Sequence, residues 1–347
     1  MLDIFNNSAF TVTSLTDAMR EIKYVPSYVG RLGLFTETSV ATLSIAIEKD
    51  AEQNVFLVQS SPRGSAGQTF GKNKRSMRDL RIPHFQVDDA IYADEIQAVR
   101  AFGEEQAVEL LQSKIALRAA EASQAFSLTE EFHRLALITQ GRLLDADNTV
   151  IYDYFAEMGE SQPAELAWDL ANANPARGVL RERCDDLWRA MAATLDGLPF
   201  TGITALCGDN FFKDIVKHKE VYDIYLAMTG AGTLGLRNAT VNSVGSAAAS
   251  MWGSFEFGNI NFVNYRGGQN VGLDADRCYF VPTGVPSLFR TVYAPADYIE
   301  TVNRPGQRMY ARQWEMPNRK GVNLEMQTNV LHYCTRPRVL MRARRGT

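Results

Sequence analysis

At 347 residues, 46% hydrophobic and 22% charged, the chain is long enough for two packed cores and too apolar for disorder to dominate. Its net charge of -4 excludes a global attraction to nucleic acid or to an anionic membrane, leaving only local basic patches. The scattered cysteines Cys184, Cys207, Cys278 and Cys334 make no Cys-x-x-Cys pair, so buried, reduced thiols and synthesis in a reducing cytoplasm are expected.

Residues 1–42 read as an extended N-terminal arm with short helical pieces, interrupted by Pro26. Asp3 and the neighbouring asparagines stand where a secretory signal carries positive charge, and no run reaches the roughly 18 apolar residues of a membrane span. The expectation is a soluble protein with no membrane partner.

Residues 43–90 then read as an extended β-ribbon, with strands at Val40 to Val58 and Leu80 to Val87. Leu43, Ile45 and Ile47 alternate with Ser44, Ala46 and Glu48, and Leu80 and Ile82 flank Arg81 on the return. The tip is basic and glycine-rich. From Arg63 to Arg81 the basic residues Arg63, Lys72, Lys74, Arg75, Arg78 and Arg81 face only Asp79 as an acid, and of these Arg63, Lys72, Lys74, Arg75 and Arg78 predict an intersubunit docking surface. A two-stranded ribbon has too little core to stand alone, which predicts that it completes its burial on a neighbouring molecule.

Asp94 to Leu144 reads as a helical spine, with Val108, Leu111, Ile115, Ala119, Ala122 and Phe126 forming an apolar stripe. Ser127-Leu-Thr-Glu130 has capping-box spacing and predicts that a second helix starts there. A hairpin is expected around Asp145 to Asn148. Beyond it, helix is expected at Pro163 to Asn172, Ala176 to Leu195 and Asn210 to Met228. Strands are expected at Gly202 to Cys207, Trp252 to Tyr265 and Arg277 to Pro282. The last strands, Arg308 to Trp314 and Val322 to His332, turn at Pro317 to Gly321 and should pair beside the spine. The basic end around Arg336, Arg338, Arg342, Arg344 and Arg345 reads as a strand with a charged exposed face, or as a contact for a polyanion or acidic neighbour.

Chemistry-bearing patterns are few. Gly230-Ala-Gly-Thr-Leu-Gly235 matches a dinucleotide fingerprint in letters, but helix is expected before it where the fingerprint needs a strand. Its glycines read as a helix end. His84, His133, His218 and His332 show no metal-ligand spacing, and His332 with Cys334 lacks further ligands. No catalytic residue, metal or cofactor is expected. The remaining alternatives are a nucleotide-dependent oxidoreductase resting on Gly230 to Gly235, and a nucleic-acid-binding module resting on the basic tip and tail.

Five ordered motifs resemble a known family. They are Pro62-Arg-Gly-Ser-Ala-Gly67 with Gly71-Lys-Asn-Lys-Arg75; Ile91 to Gly103; Cys207-Gly-Asp-Asn-Phe-Phe212 with His218 and Val221; Val281 to Pro286 through Tyr293 to Ile299; and Gly321 to Asn329 with Arg336-Pro337. The chain resembles the major capsid proteins of tailed bacteriophages, the lambda gene E type, over nearly its whole length. The resemblance implies an α+β chain of the Hong Kong 97 capsid fold: arm 1–42, extended loop 43–90, peripheral domain 91–160 with the spine helix and hairpin, axial domain 161–295, and peripheral-domain strands 296–347. It further implies pentamers and hexamers of this chain, closing into an icosahedral shell around double-stranded DNA that is touched nonspecifically. Assembly is expected in the host cytoplasm with a scaffolding protein and a portal, and the virion shell with a decoration protein. Some relatives form a lysine–asparagine cross-link from this loop, for which Lys72 and Lys74 are the candidates. The lambda-like branch uses decoration instead, so none is expected here.

Overall fold

The computed structural model describes residues 27–50, 75–95, 111–172, 174–223, 253–267 and 271–346. The first elements are α1 (Tyr28–Arg31), β1 (Phe35–Ser39), β2 (Ser44–Asp50), β3 (Arg75–Arg81) and β4 (His84–Tyr92), followed by the spine helix α2 (Leu111–Gln140). Next come β5 (Arg142–Leu144), β6 (Val150–Asp153), α3 (Tyr154–Met158), β7 (Leu166–Ala167), α4 (Val179–Leu195), β8 (Gly202–Cys207) and α5 (Asp209–Lys217). The remainder is strand: β9 (Ser254–Phe257), β10 (Ile260–Asn264), β11 (Arg277–Thr283), β12 (Phe289–Tyr293), β13 (Tyr310–Glu315), β14 (Gly321–Cys334) and β15 (Met341–Arg344).

Two sheets organise the molecule. In the first, the strands run in the order β1, β12, β14, β13, with β4 also on β14; in the second, the order is β7, β15, β11, β8, β10, β9. Strand β14 is the axle of the first sheet. Its early residues pair with β13 on one side and with β4 on the other, from Gly321 opposite Tyr92 to Asn329 opposite His84, and its last five pair with β12. The final strands therefore do find partners far back in sequence, beside the spine. A small cluster of Ile91, Ala122, Phe126, Leu324 and Met326 seals α2 against β4 and β14. The larger core joins Leu137 and Ile138 of the spine to Phe289, Val292, Phe262 and Phe280 of both sheets.

Helix α2 is continuous through Ser127. That hydroxyl donates to the carbonyl of Ser123, four residues back, at 2.9 Å, and Thr129 does the same to Ala125. A hydroxyl turned back on its own helix cannot cap a new one, so the expected break is absent. The described part spans about 45 Å at 1.5 Å per residue. At its expected start near Asp94 the residues Ala93–Glu95 form a single turn of 3-10 helix, and residues 96–110 lie outside the described residues.

Local chemistry explains the turn into α3. Asp153 accepts from the amides of Phe155 at 3.1 Å and Ala156 at 3.3 Å, and Gly159 ends the helix at φ 64, a left-handed conformation that costs glycine little. The β5–β6 hairpin turns over Asp145 to Asn148 as expected, with Asn148 at φ 66. Helix α4 places Leu180, Cys184, Leu187, Met191 and Leu195 on its buried face, at spacings of three and four residues.

Several expectations need correction. Leu166–Ala167 is strand rather than helix, because it pairs with Ala343 and Arg344. The ribbon's return strand stops at Arg81: after Pro83 the chain leaves β2 and joins β14 as β4, instead of continuing the ribbon to Val87. Residues 27–42, read as arm, include α1 and a β1 strand parallel to β12 of the same chain. Strand β12 lies in the first sheet although it precedes residue 295, and β15 lies in the second although it follows residue 296. The sequence boundaries of the two expected domains thus do not coincide with the sheets.

Candidate functional site

The junction between spine, sheets and ribbon is where this molecule holds its shape, and it is unusually polar. Glu130, Glu131, His133 and Arg134 occupy consecutive turns of α2 and are all buried. Glu131 accepts from the amides of Val29 at 2.7 Å and Gly30 at 3.0 Å, and from the Tyr265 hydroxyl at 3.3 Å. One carboxylate therefore caps α1, fixes the start of the described chain on the spine and reaches the second sheet. Burial pushes its pKa up, and the two backbone amides oppose that rise.

Glu130 is 1% exposed and receives a fork from Arg308, with Nε at 2.9 Å and Nη2 at 3.0 Å. Arg134 lies 3.4 Å from the same carboxylate and 3.3 Å from Glu37 on β1. Alternating charges thus tie the spine to β1 through Glu37 and to the loop before β13 through Arg308, the geometry in which a buried carboxylate remains acceptable. Arg134 also stands over the Phe35 ring, 5.3 Å from its centroid.

His133 and His332 meet at 5.9 Å between ring centroids, with Phe85 at 5.1 Å and Phe35 at 5.8 Å closing the stack. His332 shares a 2.9 Å hydrogen bond with the Thr291 hydroxyl. Burial pushes the His133 pKa down to about 4, and His332 falls well below its ordinary value through burial and the nearby Arg134. Both rings are thus neutral near pH 7, which allows them to sit beside an arginine. Among the described residues no group of three or more His, Cys, Asp or Glu is placed to hold a metal. Cys334 is buried, its thiol pushed up to about 12.

The ribbon emerges from this body at a clamped root. The Tyr152 hydroxyl accepts from the Arg81 amide at 3.0 Å and donates to the Arg81 carbonyl at 2.9 Å, and Ile82 donates to the Leu43 carbonyl at 2.9 Å. Leu80 and Ile82 are buried in the main core. The root therefore completes its burial on its own chain, contrary to the expectation that the whole ribbon needs a neighbour.

Of the predicted docking residues, Arg63, Lys72 and Lys74 lie outside the described residues. Arg75 begins β3, opposite Asp50. Arg78 is exposed and pairs within the chain, 3.1 Å from Glu157 and 3.4 Å from the Ala156 carbonyl. The glycines Gly230 to Gly235 also lie outside the described residues. The basic C-terminal end is partly absorbed at home: Arg345 bonds Asp214 at 2.9 Å and Asp276 at 3.0 Å, and Arg336 donates to the Leu195 carbonyl at 2.6 Å.

Outward-facing surface missed by sequence reasoning lies along the first sheet. Among the described residues strand β13 pairs only with β14, and Trp314 on it is 42% exposed. In the loop before it Ile299 is 89% and Val302 62% exposed. Periodicity cannot separate an exposed isoleucine from a core one, so no signal marked them. Among the described residues no helix is long and apolar enough to cross a membrane.

Comparison with known proteins gives this surface a context. The family model described as phage major capsid protein E matches residues 11–345. The major capsid protein of Pseudomonas phage KPP10 is 26% identical over 354 residues, covering 96% of this chain and 97% of that one. Among solved structures, the putative capsid protein of a prophage of E. coli CFT073 superposes with a TM-score of 0.54 at 11% identity, over 97% of this chain and 99% of the other. The capsid chain of cyanophage A-1(L) gives 0.52 at 13% identity, over 99% of each chain.

Proposed function

The chain belongs to the phage major capsid protein E family and has the Hong Kong 97 capsid fold, and from that premise we propose how it builds a shell. It is a structural subunit rather than an enzyme. Copies associate into pentamers and hexamers that close into an icosahedral shell around double-stranded DNA. The six-stranded sheet with α4 and α5 forms the axial domain at the centres of these rings. The five-stranded sheet with α2 forms the peripheral domain.

The observation that carries this reading is the match over residues 11–345, together with a ribbon clamped at its root. A fixed root aims the strands outward, and the basic tip residues Arg63, Lys72 and Lys74, with Arg75 on the strand below, bear on an adjacent copy, while Arg78 is held by Glu157 of its own chain. Exposed ion pairs contribute only about 0.2–1 kcal/mol each, so the tip selects register while apolar contacts supply adhesion. Many such contacts in a closed shell add up to high stability from modest pairwise affinities. A scaffolding protein and a portal act during assembly in the host cytoplasm, and a decoration protein binds the finished shell. Negative-stain electron microscopy of the purified, concentrated protein tests the reading: closed shells or rings of five and six are expected, and a monodisperse monomer at every concentration would overturn it.

A further inference from the structure

The centre of the second sheet carries two thiols in an arrangement the shell reading does not use. Cys207 closes β8 and Cys278 is the second residue of β11, and the two stand directly opposite each other in the antiparallel register. Their Sγ atoms are 3.3 Å apart and both residues are fully buried.

Backbone geometry decides whether a bond between them fits. The Cys207 carbonyl accepts from the Tyr265 amide on the β10 side, whereas the next residue, Gly208, donates to the Arg277 carbonyl of β11 at 2.9 Å. Cys207 and Cys278 are therefore the pair that exchanges no backbone hydrogen bonds, in which Cα atoms stand about 4.5 Å apart and side chains are closest. That separation falls within the roughly 4.4–6.8 Å range that disulfides span. Closing the sulfurs from contact to a bond needs side-chain rotation rather than strand movement.

We propose that Cys207 and Cys278 form a redox-closable pair, a modification site at which a small peroxide converts two thiols into an intrachain disulfide. One sulfur, as its thiolate, attacks the peroxide and breaks the O–O bond, giving a sulfenic acid and, with the thiol's proton, one water. The second thiol then attacks the sulfenic sulfur, its proton leaving with the hydroxyl as a second water. Two S–H bonds are lost and one S–S bond is made; each sulfur gives up one electron, and the peroxide takes both.

Access is through the rim of the sheet. The pair lies at the ends of β8 and β11, beside Gly208 and the turn Asp274 to Asp276, and local opening of this turn is the route by which a peroxide would reach the sulfurs. Burial raises the Cys278 pKa well above its ordinary value, so its thiolate is scarce and its attack on a peroxide is slow.

The test treats the full-length folded protein with hydrogen peroxide, then unfolds it in N-ethylmaleimide and measures the intact mass and the peptide map. The expected product takes up the reagent at only two of its four cysteines, is about 2 Da lighter before that uptake, and yields a peptide pair linked through Cys207 and Cys278. The Cys207→Ser and Cys278→Ser variants should each lose the linked pair. Alkylation at all four cysteines, sulfinic or sulfonic acid at either position, or a link to Cys184 or Cys334 would overturn the proposal. If a variant does not fold, the wild-type map still decides.

Discussion

Replacing His133 with Phe should flatten the acid side of the stability profile. His133 has no exposed surface, and neither ring nitrogen meets a hydrogen-bond partner among the described residues. Its folded pKa of about 4 lies below the ordinary 6.5, so folding prefers the neutral ring. The stability linked to it is fully present above 6.5 and is lost as pH falls toward 4. Each unit across that interval costs about 1.4 kcal/mol, so between pH 7 and pH 5 this one residue should remove about 2 kcal/mol. His332 acts in the same direction and remains in the variant. Phe keeps the ring stack with Phe85, Phe132 and His332 while removing the titration. Urea unfolding of the unassembled subunit at the two pH values gives the comparison directly. The wild type should lose about 2 kcal/mol more than His133→Phe. Equal losses would refute the assignment of this acid sensitivity to the buried ring.

Other substitutions test other parts of the account. Arg308→Ala strands the buried Glu130 carboxylate with only Arg134 near it, and should cost about 2–3 kcal/mol by urea unfolding, with Arg308→Lys recovering part because it cannot fork. Tyr152→Phe removes both hydrogen bonds to Arg81, worth about 1–2 kcal/mol together; hydrogen exchange should quicken across 75–81 while the global midpoint hardly moves. Gly208→Ala puts a Cβ 2.1 Å from the Asp274 carbonyl oxygen, so backbone must shift and the variant should lose about 1–3 kcal/mol in thermal or urea unfolding.

Much of this architecture is legible where a rule is local. Ile203 to Cys207 is apolar except for Thr204, and Cys278 to Val281 is an unbroken apolar run of the kind that buried central strands require; both are the strands expected. Asp145 to Asn148 has turn composition and turns. The failures share a cause, which is pairing across long sequence separations. The basic segment Met341 to Arg344 is the strand expected, but nothing near it announces β11 as its partner, and nothing near Leu166 announces Ala343. Ser127 satisfies a local capping pattern, yet the packed spine on both sides favours one continuous helix and turns the hydroxyl back on it. The polar seam was equally hidden: Glu131 finds its amides 102 and 101 residues away, and Glu130 finds Arg308 at a separation of 178. Five basic residues marked the ribbon as a docking element, but sequence could not show that Arg78 is engaged by Glu157 of its own chain.

The reading turns on the ribbon tip meeting a second copy, and deletion of residues 60–74 tests that most directly, because it spares the paired strands and the clamp at Arg81. Electron microscopy of the purified variant, with its unfolding midpoint measured in parallel, should find a folded subunit that forms no closed shells where the wild type does. Normal shells from the tip-deleted chain would contradict the account.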